Sequence, residues 1–577
     1  MTGPQPDGSR PSRSRLLPLF VVAPVAVQAA IVAVFGQAVQ AWDEYYYADL
    51  FVDIGHGRPW LWWMFRQHNE HRIVWTKMAM LGLGYFTDWN PVAEMYVSAV
   101  LVGLVAFGIW NLYRTAVDEP AWRFWPVPLL LCIPAQHMNM LYGLMTCHYF
   151  TVAGMVWTLV FLLRKTRRSF VAAIAASFVA LFSTLNGIIV FPIGFVVLCL
   201  NRQSVARRRA WLLASATLVA AYFSKYQVPA PHQPTEWTLD AAVRIALAAL
   251  TSLGSPFAGS SIRWSIVVGV AMTLLIVMAL FGTLATAKWT AHAGLIGLTL
   301  IGVGSAAVIG LGRYRFGLEG AAESKYVTYT IFAMIGIVLS LAGQRNSQFG
   351  RTLLLACGWL VGVGWVVAAV TAYPRMEAWG RTRRLHRYEI QNIQTQPDEN
   401  LRDVYHLSEV RRIAACLQAA KLGPCRKRVD ALLVARPLEG LPTKAIVRGS
   451  ELVSKILCPV DTLRDVGVLI TPAAAGGQGV LNIDIDANDR KIVGAVVELR
   501  AMRGSTWVPV RLSAGLAVRR GDLLVVRVSS DSATGAGAPR AMSFPVYSSQ
   551  ITRQGGALLA GRDLGLAFNG FANGLLP

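Results

Sequence analysis

Long apolar runs separated by short polar breaks, many of them basic, fill the chain up to about residue 375. The first extends from about Leu16 to Val39. Others lie near 92–113, 124–138, 143–163, 170–184, 187–200, 209–224, 263–285, 291–311, 326–343 and 352–373. A straight helix needs about 20 apolar residues to cross the hydrocarbon core, so the pattern predicts about eleven transmembrane helices, the shorter ones extended into their flanks or buried by neighbours. Arg10, Arg13 and Arg15 precede the first run as in a signal peptide. The run is too long for one, and no convincing cleavage site precedes Trp42, so it reads as an uncleaved first span.

The pattern changes after the last run. Residues 376–440 read as a helical linker with Arg-rich faces, clearest in "LSEVRRIAACLQAAKLG". From 441 to 577 the period becomes two. "VGVLITP", "GVLNIDID", "KIVGAVVELRAM", "WVPVRLSA" and "DLLVVRVSS" alternate apolar and polar positions between Gly, Asp and Asn turns, which predicts a small antiparallel β-sandwich. The domains expected are 1–375, a transmembrane part, then the linker and the sandwich.

Composition agrees with this division. Of 577 residues, 54% are hydrophobic and 15% charged, against about 25% charged in soluble domains. Mean hydropathy is +0.45. A soluble enzyme, a single-span receptor and a disordered scaffold are excluded together. Lys and Arg number 54 against 32 Asp and Glu, a net +22. In a soluble protein that excess would point to nucleic acid. Here it points to cytoplasmic loops held by anionic lipids, and no nucleic-acid partner is expected. The basic clusters Arg164–Arg168 and Arg202–Arg209 belong inside the cell. With them on that side the amino terminus is also cytoplasmic, and the tail is extracytoplasmic. This requires "HRIVWTKMAMLGLGYF" to lie along the outer interface without crossing. The stretches 42–90, 139–142, 184–187, 225–262 and 312–325 are then outer connections. Seven cysteines include no CxxC pair. Cys416, Cys425 and Cys458 fall outside the membrane, where a Cys416–Cys425 bridge is one pairing open to them.

Polar residues unusual in a membrane protein gather on the expected outer side. "AWDEYYYADLF" places Asp43 and Glu44 directly after the first span. A carboxylate partly desolvated among aromatics has a raised pKa and suits a general base. Alternatively, Asp43 simply caps the following helix. "FRQHNEHRIVWTK" then sets five polar residues, His68 to Arg72, in an apolar stretch. On a helix His68, His71 and Arg72 would share a face, with Glu70 pointing elsewhere. Arg72 suits a phosphate, and Asn69 and Glu70 suit sugar hydroxyls. Two His and one carboxylate leave room for a divalent metal but match no recognised ligand set, so no cofactor is predicted. The bland alternative is the polar face of an interfacial helix. "GRYRFGLEGAAESKY" carries Arg313, Arg315 and Lys325 against the charge bias, as anionic-headgroup ligands or as interfacial anchors, with Glu319 and Glu323 close enough in sequence to neutralise them. Gln136, His137, Asn139, His148 and Asn186 would wall the same cavity. The Pro-rich 225–262 loop with His232 and Trp237 is a lid or a connector.

These motifs resemble the integral-membrane glycosyltransferases of the GT-C fold, which use polyprenyl-phosphate-linked sugars. "DEYYYADL" is similar to their acidic motif in the first extracytoplasmic loop. "QHNEHRI" resembles a signature of bacterial membrane proteins of this type, and "RFG…AAESKY" resembles their later motif, with Lys325 where arginine is usual. The resemblance implies a GT-C-like fold of about eleven to thirteen spans with a cavity between first loop and bundle. It implies Asp43 as the catalytic acid, Glu44 as its neighbour and substitute, and Arg313, Arg315, Lys325 and Tyr326 as the lipid-phosphate region. His68, Asn69, Glu70, His71, Arg72, Asn139 and Asn186 would line the substrate site. The implied partners are a polyprenyl-phosphate-linked sugar, a glycan or lipid acceptor of the cell envelope, and membrane lipids. A glycan polymerase or ligase using a lipid diphosphate, a lipid-sugar flippase, and a non-catalytic glycan-binding protein are the competing expectations.

Overall fold

The computed structural model describes residues 16–425, apart from 56, 58, 118–119, 230–236, 286–287, 345–346, 392, 394–400 and 402–403, together with strands between 444 and 571. The chain divides into two compact units, residues 1–377 and 378–577. The first is helical. In chain order it contains α1 (Leu17–Phe35), α2 (Ala48–Gly55), α3 (Leu61–Phe65), α4 (Val74–Thr87), α5 (Pro91–Ala116), α6 (Pro126–Leu131), α7 (His137–Leu141), α8 (Thr146–Leu163) and α9 (Arg167–Leu181). There follow α10 (Val190–Leu200), α11 (Val205–Phe223), α12 (Leu239–Ala258), α13 (Ile262–Ala285), α14 (Ala293–Arg313), α15 (Gly317–Ala321), α16 (Ser324–Ala342) and α17 (Gln348–Gln391). The last runs on through the division between units.

Among the described residues, eight helical segments are long and apolar enough to cross a membrane: 17–35, 91–116, 143–163, 239–258, 262–285, 293–321, 324–342 and 348–391. That is compatible with a polytopic helical protein, and it differs in detail from the eleven runs of the sequence. The run 124–138 is not one helix. Pro126 and Pro128 sit in the six-residue α6, Pro134 opens a 3-10 turn, and α7 restarts at His137. Proline removes the amide that would continue each ladder. The runs at 170–184 and 187–200 give helices of 15 and 11 residues. Conversely, α12 stands where an irregular connection was expected. Many of its buried residues are small, Ala241, Ala248, Ser252, Gly254 and Ser255 among them, and add little to an apolar signal.

Small residues also explain how the bundle closes. A Cβ on Gly254 or on Gly269 would strike backbone of the facing helix, so α12 and α13 cross in direct main-chain contact. Gly302 meets Ala333, and Gly336 meets Thr299, between α14 and α16 in the same way. Lipid gives no hydrophobic drive between helices, so close van der Waals packing of this kind carries the association. The exposed faces are apolar stripes. On α13, Trp264, Val267, Val270, Leu274, Val277 and Phe281 recur every three or four residues, all exposed. A face this continuous needs an apolar environment.

At one end of the bundle, the turn after α1, the segment before α4, and the ends of α11 and α14 come together. They are joined by hydrogen bonds between residues as far apart as 243 positions. That end holds the candidate site.

The second unit holds α18 (Leu407–Ala420) and two sheets. Strands 451–457, 523–530, 480–487 and 490–498 lie in that order in an antiparallel four-stranded sheet. Strands 444–445, 540–541, 462–471, 566–571 and 546–548 form the other, with 506–511 also pairing 462–471. Its pair 546–548 and 566–571 is parallel, unlike the expected all-antiparallel module. A sandwich of the two sheets is not seen among the described residues. Cys416 and Cys425 are both free, contrary to the bridge considered from sequence. Cys416 stays on α18, while Cys425 follows its left-handed cap at Lys421. Cys458 lies outside the described residues.

Candidate functional site

Asp43 sits in a 3-10 turn, Trp42–Tyr47, that directly follows the α1 connection. Trp42 enters it with φ 38°, a left-handed conformation rare outside glycine. The Asp43 side chain is 47% exposed, so it stays open to an incoming group. His68 Nε2 stands 3.4 Å from its Oδ2, and Asn69 Nδ2 donates to the same oxygen at 3.3 Å. These partners overturn the expected raised pKa. The His68 contact, against partial burial, holds the carboxyl below its ordinary value, with Asn69 and Lys325 acting in the same direction.

Glu44 has a different fate. It is buried, with Oε2 accepting from the Ala41 amide at 2.7 Å and Oε1 from the Leu144 amide at 2.8 Å. The capping role considered for Asp43 thus falls to Glu44, which ties the turn to the bundle. A substitute base would have to be open to substrate, and Glu44 is not.

Residues 68–71 form a tight reversal instead of a helix face. His68 and His71 exchange both backbone hydrogen bonds, 2.7 and 2.8 Å, across Asn69 and Glu70. Asn69 takes φ 48°, which asparagine tolerates better than most residues. The turn reverses the expected directions. Glu70 points at its neighbours: its Oε1 accepts from Arg313 Nη2 and lies 3.6 Å from His71 Nε2. The Leu185 amide donates to His71 Nδ1 at 3.2 Å, so that nitrogen carries no proton and the ring is the neutral Nε2–H form. Burial agrees, pushing the His71 pKa down to about 4.

Arg72 does not await a phosphate. Its guanidinium donates to the carbonyl oxygens of Phe65, Tyr222 (2.7 Å) and Ser224 (2.6 Å), sewing the end of α3 to the end of α11. Lys77, buried on α4, does similar work. Its Nζ donates to Trp63 O (2.9 Å) and Arg66 O (2.6 Å), satisfying the free carbonyls at the end of α3. Burial pushes the Lys77 pKa down to about 7.

Of the later cations, Arg313 is bound to Glu70, and Lys325 is paired with Glu323 at 2.5 Å. Arg315 is exposed and donates to the Tyr314 hydroxyl at 2.9 Å. Tyr326 is buried beneath Arg313 and Lys325, its ring centroid 5.7 and 5.3 Å from their charges. The structure therefore brings Asp43, His68, Asn69, Glu70, His71 and Arg313 into one connected cluster.

Asn139 and Asn186 stand apart as helix ties. Asn139 is fully buried and donates to Lys325 O (2.8 Å) and Thr328 Oγ1 (2.7 Å), holding the start of α16. Asn186 donates to Ser305 on α14 at 2.9 Å. His148 meets the Tyr329 hydroxyl at 2.6 Å, and that hydroxyl meets Thr184 at 2.9 Å. His137 and Ser324 are 3.4 Å apart, and the Gln136 side-chain carbonyl accepts from Thr328 at 2.7 Å. These groups bond to one another and to neighbouring helices inside the bundle, but the side-chain carbonyls of Asn139 and Asn186 accept no hydrogen bond among the described residues, and Gln136 and Thr328 line a small internal cavity. Trp237 is exposed, and His232 lies outside the described residues.

Sequence reasoning missed Arg66 and Tyr222. The Arg66 guanidinium lies over Tyr46, Trp62 and Trp63 at 5.2, 5.2 and 4.8 Å. The Tyr222 hydroxyl contacts Arg72 N and Glu70 O at 3.2 Å each. "WLWWMFR" shows the first as an aromatic run ending in a cation; nothing local marks the second. Among the described residues, no group of three or more His, Cys, Asp or Glu is arranged to hold a metal ion. No family model, curated protein or solved structure matches the chain.

Proposed function

We propose that the chain is a glycosyltransferase of the bacterial cytoplasmic membrane that moves a sugar from a polyprenyl-phosphate donor to an envelope glycan or lipid. The observation that carries this reading is that Asp43 and Arg313 are held by the two halves of one four-residue turn. An open carboxylate and a cation-bearing helix end thus belong to one site, as transfer from a lipid phosphate requires. The motif resemblance supplies the class of donor.

In this mechanism the donor lipid stays in the bilayer with its phosphosugar at the extracytoplasmic surface. Asp43 removes the proton of an acceptor hydroxyl as that oxygen attacks the anomeric carbon. The bond to the phosphate oxygen breaks, and the polyprenyl phosphate leaves with the electron pair. One displacement inverts the anomeric centre. The low pKa keeps Asp43 ionised at neutral pH at some cost in basicity. Arg315 and Lys325 lie in the region assigned to the departing phosphate, although Lys325 must share its charge with Glu323.

Purified protein incubated with a panel of lipid-linked sugars tests the reading. Transfer with inversion from a monophosphate donor supports it. Transfer of whole glycans from diphosphate donors alone would replace it with a polymerase or ligase.

A further inference from the structure

Arg66 is an exposed cation near this site whose charge is paired with no acid among the described residues. Its neighbours are rings: the guanidinium lies over Tyr46, Trp62 and Trp63 within 5.2 Å. Among the described residues its side chain makes no ion pair or hydrogen bond. Contact with ring faces uses none of the five N–H donors of a guanidinium as ordinary hydrogen bonds, so they remain available to an oxyanion. Arg313 is engaged by Glu70, Lys325 by Glu323, and Arg72 and Lys77 by carbonyls, while the exposed Arg315 donates to the Tyr314 hydroxyl.

The platform is built to stay still. Trp63 donates from its indole to Asp53 at 3.0 Å, and Lys77 fixes the carbonyl of Arg66 itself. Tyr46 connects it to the site, since the His68 ring that meets Asp43 lies 5.9 Å from the Tyr46 centroid. Beside Arg66, Trp60, Leu61, Trp62 and Phe65 are all exposed, an aromatic edge suited to the headgroup level of a bilayer.

We propose that Arg66 and its rings form a phosphate seat, linked to Asp43 through Tyr46 and His68, that is filled by the phosphate of a lipid headgroup or by a soluble phosphate. The seat deepens the transferase reading by giving the departing phosphate a cation that makes no ion pair among the described residues, but its binding can be measured without any transfer.

The test is equilibrium binding to the full-length protein in micelles of a short-chain isoprenyl monophosphate, the parent alcohol and inorganic phosphate. Wild-type protein should bind the phosphate probe and not the alcohol. Arg66→Gln should weaken it by about tenfold or more, with Arg66→Lys between the two. Trp62→Ala, which keeps the charge, should weaken it less than Arg66→Gln. Displacement by equal inorganic phosphate would assign the seat to a soluble phosphate; resistance would assign it to a lipid. Equal affinity of the probe for wild type and Arg66→Gln, at matched unfolding midpoints, would overturn the seat. So would equal binding of phosphate and alcohol. Arg66-dependent binding with no sugar transfer from any donor would keep the seat and remove the transferase reading.

Discussion

Arg313, at the end of α14, donates to the carboxylate of Glu70 across 243 residues of chain, while Asn69, one position before Glu70, donates to Asp43. Both members of the Glu70–Arg313 pair are mostly buried, with side chains 14% and 19% exposed. Removing one leaves the other charge poorly solvated. Glu70→Gln and Arg313→Gln should each cost about 2 kcal/mol, and the double variant clearly less than their sum. Thermal unfolding in detergent, run as a double-mutant cycle, checks this; additive losses would mean the contact contributes nothing.

Under the proposed mechanism, Asp43 sets an acid limit on activity. Its carboxyl is held below the ordinary value of 3.8, chiefly by His68. A base works in its deprotonated form, above its own pKa, so transfer should not decline between pH 7 and pH 5 through this group. His68→Ala removes the largest lowering contact and should move the acid limb upward. A pH–rate profile of both proteins measures it, and an unshifted limb would contradict the assignment.

Arg72 is a structural clamp on three carbonyls. Arg72→Lys keeps the charge but loses the fork, and should cost about 2 kcal/mol of stability. Phosphate-probe affinity, measured in the fraction that remains folded, should be unchanged.

Much of the helical architecture was legible because a membrane span is a long unbroken apolar signal. The outcome was poorer where that signal is diluted or interrupted. Pro126, Pro128 and Pro134 break an apolar run without making it polar, and the Ala, Ser and Gly face of α12 packs tightly while reading as a loop. At the candidate site, the unusual density of polar residues at 68–72 coincides with the turn that binds Asp43 and Arg313. Their directions were hidden because the partners are distant in sequence. Arg72 is satisfied by Tyr222 and Ser224, and His71 by Leu185. Glu44 and Asp43 are adjacent and chemically alike, and only the position of Leu144 separates a buried tie from an open carboxylate.

His71 gives the fold a pH dependence of its own. Its pKa falls from 6.5 to about 4 on folding, so between those values the unfolded chain binds the extra proton. Stability should therefore fall as pH drops from 6.5 towards 4, by up to about one proton's worth of slope. His71→Gln should flatten that slope. Unfolding midpoints across the window compare the two, and identical slopes would rule out a buried neutral His71.

The proposed chemistry turns on Asp43. The most direct measurement is release of polyprenyl phosphate and inverted sugar product by purified protein in nanodiscs, for wild type against Asp43→Asn. Wild-type protein should turn over, and replacing the carboxylate by an amide should lower the rate by about a hundredfold or more while the unfolding midpoint holds. Turnover at the wild-type rate by the folded variant would contradict the account.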